Sequence, residues 1–376
     1  MSDNPPVCSY TQSVANGRIG RRITTVAVVG ALLATLVLVM VAGGSAASPD
    51  GHGKRDRAVV TAYWTAERVA RAVPREVSPD RLPSFARPRE TGKPSGTPGG
   101  GGGGSGGGGT GTSVTGAAWT GAGKVKATTG KVLFTMDEVD YVCSGSVVQD
   151  ATADTSLILT AGHCVYDETG GAFATNWMFV PDYEAGGSIV TNPDGSHSFS
   201  CDTVPYGCWT ASALVTTSAW ADGGGSLAGF NNDYAFAVVG AGGKTDENNQ
   251  LDAVVGDNAI AFNVTHPTQV YSFGYPAAFP YDGQKLIYCA GKDVRDTWGG
   301  TTDFGLNCNM TGGSSGGPWF VNFGEGGNTG ALNSVNSFKY TAGKLSKYMF
   351  GPYFGAYAQK TYTEAETATG DLTVSP

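Results

Sequence analysis

From about Thr112 onward this 376-residue chain has little positive charge. Residues 112–376 hold 11 Lys/Arg against 25 Asp/Glu, whereas residues 1–111 hold 13 against 7. An acidic body is a poor match for nucleic acid, whose binding rests on neutralising phosphates, so no nucleic-acid partner is expected. Histidine is also scarce, with only His52, His163, His197 and His266. No Cys-x-x-Cys pair occurs, and the cysteines near histidine lack zinc spacing, which argues against a metal site. Nothing in the sequence implies a cofactor. The body shows no sustained helical period and no repeat of 20–50 residues, which argues against bundles and solenoids.

What the body does have is short apolar runs separated by Gly, Asn and Asp, such as "GKVLFTM", "SLILTAG" and "YAFAVVG". That texture predicts an all-β sandwich or barrel, with a short helix in the tail around "KLSKYMFGPYFGAYAQ". Six of the seven cysteines fall in the body, an even set that suits disulfides and an oxidising compartment. Proximity along the chain favours Cys143–Cys164, Cys201–Cys208 and Cys289–Cys308.

The front of the chain divides into segments. Residues 1–22 precede Ile23–Ala42, an uncharged run flanked by Arg18, Arg21 and Arg22. Its length and flank predict a signal core or retained anchor with the N-terminus inside, and hence export. Membrane contact is expected only through this segment. Residues 48–98 are basic, with one amphipathic run over Arg57–Val73 that brings Val60, Trp64 and Val69 near one helical face. This stretch reads as a pro-region. Residues 99–111 are a glycine-rich linker, and 112–376 form the main domain.

The stretch "TGGSSGGPW" (Thr311–Trp319) carries the chemical question. Its Gly313-Ser314-Ser315-Gly316-Gly317 satisfies the G-x-S-x-G elbow of α/β-hydrolases, but there the histidine follows the serine. No histidine follows Ser315, so that reading fails. The opposite order is available. "LTAGHC" presents His163 at the end of an apolar run, "NNDYAFAVVG" places Asp233 at the head of an alternating one, and Ser315 follows. A serine hydroxyl needs an imidazole to take its proton, and the imidazole needs a carboxylate to fix its tautomer.

With "TAGHC", "NDYAFAVV" and "GGSSGGP" the chain resembles the chymotrypsin-like serine peptidases. Through "FGYPAAFPYDGQKLIYCAG" and "CNMTGGSSGGPW" it is similar to the bacterial exported branch related to glutamyl endopeptidases. The resemblance covers roughly residues 130–357. It implies two perpendicular six-stranded β-barrels, with Ser315 as nucleophile, His163 as general base and Asp233 as orienting acid. The amides of Gly313 and Ser315 would form the oxyanion hole, and Cys143–Cys164 would close the histidine loop. The function it implies is serine endopeptidase action on a protein or peptide. A non-catalytic binding module on the same fold and an esterase using the same triad are the alternatives.

The sequence departs from the family at two positions. Ser314 replaces the aspartate that receives a new amino terminus in many members, so activation by that ion pair is not expected. Asn309 stands where peptidases that cut after Lys or Arg have an acid. With Met310 and the segment Asn336, Ser337 and Phe338 as pocket wall, small, apolar or amide side chains are expected, with glutamate also open. His266 could line a cleft but fits a packing role better, His197 reads as loop, and "KTDENNQLD" reads as a solvated acidic turn rather than a calcium loop.

Overall fold

The computed structural model describes residues 52–79, 111–186, 190–191, 197–297, 301–326 and 329–376. Cys8, the apolar run Ile23–Ala42 and the glycine tract Gly99–Gly109 lie outside them. No helix among the described residues is long and apolar enough to cross a membrane.

The amphipathic run ahead of the linker forms two helices rather than one. α1 (His52–Tyr63) and α2 (Ala66–Arg71) precede a two-residue strand, β1 (Val73–Pro74). The break comes at Thr65, whose hydroxyl accepts the Arg68 N–H and caps α2. Trp64 at the break is buried, and its indole N–H donates to the Asn176 carbonyl at 2.7 Å.

In the body, the period-two apolar runs become strands. β2 (Val114–Ala118) is followed by β3 (Thr129–Met136), β4 (Val139–Val148), β5 (Ser156–Thr160), β6 (Thr175–Pro181), β7 (Trp209–Thr217) and β8 (Ala235–Val239). Strands β4, β3, β6, β7, β8 and β5 pair in that order, and β5 pairs back onto β4 through Ser146–Val148. A closed six-stranded barrel results, which leaves no open edge. Asp137 and Glu138 join β3 to β4 with φ of 46° and 62°, the left-handed backbone that a two-residue hairpin turn requires. Val132, Phe134, Ile158, Phe179, Leu214 and Phe236 are buried, each contributing about 1.5–3 kcal/mol by leaving water.

The second half contains β9 (Ala259–Ile260), β10 (Gln269–Gly274), β11 (Ile287–Lys292), β12 (Val294–Arg295), β13 (Phe304–Asn307), β14 (Pro318–Gly324), β15 (Thr329–Val335) and β16 (Tyr348–Gly351). A six-stranded sheet runs β9-β15-β14-β10-β11-β2, and β12-β13-β16 form a second sheet. The tail helix, α3 (Ala356–Ala365), starts later than its sequence suggested. Met349 and Phe350 pair instead with Leu306 and Gly305, and Pro352 stops any helix from running through. The last strand, β17 (Leu372–Val374), lies parallel to β7. The three disulfides are those that chain proximity favoured, with Cα separations of 6.3, 5.3 and 5.5 Å.

Lys131, in the middle of β3, is 4% exposed, with its ammonium 3.7 Å from the centre of the Tyr183 ring. Burial pushes its pKa down to about 7, against a smaller opposing effect of Asp282. The unfolded lysine titrates near 10.5, so the unfolded chain holds the extra proton between about pH 7 and 10.5. Stability must therefore rise with pH across that window. Lys131→Met should be more stable than the parent at pH 7 and below, with the advantage shrinking towards pH 10.5. Urea midpoints of both chains at pH 6, 8 and 10 check this, and a difference that does not change with pH contradicts it.

Candidate active site

β5 ends at Thr160, and the chain tightens into a single 3₁₀ turn, Gly162–Cys164, that carries His163. Gly162 is needed there, because a Cβ would lie 2.9 Å from the Trp220 ring and 3.0 Å from Asp233 Oδ1. That close approach lets Asp233 serve the turn twice. Oδ1 accepts the His163 N–H at 2.8 Å, and Oδ2 faces His163 Nδ1 at 2.8 Å. The Ser337 hydroxyl donates to the same Oδ2. His163 and Asp233 are wholly buried, and the carboxylate on Nδ1 places the imidazole proton there, leaving Nε2 as acceptor. The Cys143–Cys164 disulfide ties the turn to β4.

Ser315 lies in the loop that enters β14. Its carbonyl accepts the Ser144 N–H at 2.7 Å, while the Ser144 hydroxyl donates to the Gly313 carbonyl at 2.9 Å. From the other side, the Asn336 amide donates to the carbonyls of Ser314 and Phe273, each at 3.0 Å. The loop is thus pinned from both halves of the protein. Gly313 has φ of +94°, and a Cβ there would come within 2.9 Å of Ala277. Among the described residues neither the Gly313 nor the Ser315 N–H has an acceptor. Two such amides beside a serine are what an oxyanion needs. Ser314 donates its hydroxyl to the Thr311 carbonyl at 2.7 Å and closes the turn. Ser315 is 7% exposed, and no hydrogen bond joins it to His163, whose Nε2 is buried without a partner.

A cavity of about 200 Å³ opens beside Ser315, lined in part by Met310, Gly312, Ser337, Phe338 and Lys339. Met310, Ser337 and Phe338 were expected there. Asn309 and Asn336 are elsewhere: Asn309 is exposed and accepts the Tyr281 hydroxyl, and Asn336 is buried under the loop. Sequence reading missed Lys339. Its ammonium crosses to the carbonyls of Cys308 and Met310 at 2.7 and 3.4 Å, and burial lowers its pKa to about 8. His266 is remote from this cavity. It pairs with Asp293 and stacks on Phe304 at 4.1 Å, a packing role.

No family model and no curated protein matches the chain significantly. Solved structures do match. A thermostable serine protease, AL20, from an extremophilic microorganism is 40% identical over 65% of this chain and 98% of its own, with a TM-score of 0.52. The protease Anisep from Arthrobacter nicotinovorans is 38% identical over 64% and 96%, also with a TM-score of 0.52. The chain belongs to the chymotrypsin-like serine proteases.

In this protease the cleft already contains a segment of the chain itself. β1 lies parallel to β4, with Val73 opposite Tyr141 and Pro74 opposite Val142. Next, the Arg75 guanidinium donates to the His163 carbonyl at 2.7 Å and to Glu168 at 2.8 Å. Glu76 accepts the Gly312 N–H at 3.2 Å, and the Ser78 hydroxyl donates to the Lys339 carbonyl at 2.9 Å. Glu76, Val77 and Ser78 line the cavity together with Ser315. The segment therefore runs from the histidine loop, past the serine, to Lys339. Sequence reading placed residues 75–78 in a pro-region but gave no sign of where they bind.

A further buried acid lies close by. Asp303 is wholly buried, and neither carboxylate oxygen has a hydrogen-bond partner. Burial, then the charges of Asp296 and Asp233, hold its pKa well above the ordinary 3.8. The folded protease keeps this proton at pH values where the unfolded chain has lost it, so the group costs stability as pH rises above 3.8. Asp303→Asn should therefore raise the thermal midpoint at pH 7 and have little advantage at pH 3. Calorimetry at the two pH values checks this, and a variant less stable than the parent at pH 7 contradicts it.

Proposed function

We propose that the chain is an exported serine endopeptidase acting through His163, Asp233 and Ser315, and that residues 52–79 belong to a pro-region which obstructs the cleft until it is cut away. The observation that carries the catalytic reading is the buried His163–Asp233 pair, whose Nε2 is the acceptor left for the Ser315 proton. In the reaction Ser315 Oγ bonds to the carbonyl carbon while its proton passes to Nε2. The carbonyl oxygen becomes an anion held by the amides of Gly313 and Ser315. Nε2 then gives the proton to the departing amine. Water, deprotonated by the same nitrogen, releases the acid and restores Ser315. Three disulfides support an oxidising, extracellular compartment.

Chain direction argues against residues 73–78, the strap, acting as a substrate of the same cleft. The leaving amine takes its proton from His163, so the half of the substrate beyond the scissile bond lies on the histidine side. The acyl half lies on the side of Lys339. A substrate therefore runs from Lys339 towards the histidine loop, whereas residues 75–78 run the other way. In reverse, no strap carbonyl has its nitrogen beside His163.

Ser315→Ala should lower casein hydrolysis by the cut form at least about 10⁴-fold with an unchanged circular-dichroism spectrum. Comparable activity would sink the assignment, and hydrolysis of small esters without casein would favour the esterase. Arg75→Ala, which removes the guanidinium latch, should raise the activity of the uncut chain about tenfold or more. No increase would show that the strap is not what limits it.

A further inference from the structure

We propose that Asp167, Glu168 and the main-chain carbonyl of His163 form a subsite for a cationic side chain on the leaving-group side of the cleft. Arg75 fills it in the uncut chain, and an arginine of the substrate fills it once residues 73–78 have gone. The proposal rests on the peptidase reading above and adds a substrate class to it.

Three acceptors converge on one guanidinium. Nη1 donates to the His163 carbonyl at 2.7 Å, and Nη2 meets Glu168 Oε2 at 2.8 Å and Asp167 Oδ1 at 3.3 Å. The side chains of Arg75, Asp167 and Glu168 are 11%, 16% and 13% exposed, so the charges are largely withdrawn from water. No other described cation forms an ion pair with either acid. The turn that carries Asp167 is also held in shape without Arg75. Asp167 Oδ1 accepts the Thr169 N–H at 3.1 Å, the Gly171 N–H donates to the Asp167 carbonyl at 2.8 Å, and Tyr166–Asp167 pairs with Ala172–Phe173. The Cys143–Cys164 bridge anchors the start of the same loop.

Position gives the subsite its part in the reaction. One of its acceptors is the backbone of His163, whose imidazole delivers the proton to the leaving amine. The proposal assigns the subsite to the side chain of the first or second residue beyond the scissile bond. Withdrawing Arg75 leaves two neighbouring carboxylates with no counter-charge among the described residues, an arrangement that favours entry of another cation. A planar guanidinium can satisfy the carbonyl and a carboxylate together, whereas an ammonium acts as a point charge. Arginine should therefore be preferred to lysine, and lysine to a neutral side chain.

The test uses the enzyme released by its own host and internally quenched peptides. These differ only in the first or second residue after the cut: arginine, lysine, citrulline or glutamate. Citrulline keeps the shape of arginine and removes its charge. At one of the two positions kcat/KM should be at least about tenfold higher for arginine than for citrulline, with glutamate lowest. In an Asp167→Asn, Glu168→Gln variant the arginine-to-citrulline ratio should fall to near one. Equal rates for arginine and citrulline at both positions in the parent overturn the subsite alone, whether or not the variant folds. So does a ratio that survives in the variant. Failure to cut any peptide would reject the peptidase reading and the subsite with it.

Discussion

A carboxylate taken wholly out of water must be given donors, and the donors of Asp233 decide where the rest of the site stands. They come from the backbone and ring of His163 and from the hydroxyl of Ser337. The first two fix the histidine turn and its tautomer. The third ties β15, and with it the wall of the cavity, to the first barrel. Because Gly162 has no side chain, the turn can close on Asp233. Nearby, the Asp303 carboxyl is buried without a partner, and burial above all holds its pKa well above the ordinary 3.8.

The same geometry makes the cleft bipolar. An ammonium, Lys339, borders it on one side, and a carboxylate pair, Asp167 and Glu168, lies on the other. The strap answers the carboxylate pair with Arg75, pairs its backbone with β4, and adds Glu76 to the Gly312 N–H and Ser78 to the Lys339 carbonyl. Each contact alone is modest. Together they hold six residues past the cavity beside Ser315, running from the histidine loop to Lys339.

The all-β architecture was legible because its signals are local. Alternating runs such as "YAFAVVG" and turn residues between them need only a few neighbours to be read. His163, Asp233 and Ser315 stand out as candidates for a related reason, since each sits at the end of an apolar run or inside a glycine cluster, and the first two are paired. Chain proximity was enough for the disulfides. The placement of Asn309 and Asn336 was not readable, because neighbours in sequence point to opposite sides of a pocket wall. Nor was the role of Lys339, whose long side chain reaches carbonyls 29 and 31 residues away. The strap was least legible of all. Its partners lie 68 (Val73 to Tyr141) to 261 residues on, and a basic, proline-bearing stretch gives no local sign of them. The break at Thr65 was readable in principle from capping chemistry, but the amphipathic period masked it.

In the uncut chain an activated Ser315 should be shielded by residues 73–78. The most direct test is mass mapping after treatment with a serine-directed phosphonate, on the full chain and on the form cut in its own host. A single adduct on Ser315 is expected in the cut form, slow to appear in the uncut chain and absent after unfolding. An adduct on another serine, or none in the cut form, would contradict the account. Equal labelling of both forms would leave the nucleophile and remove the shield.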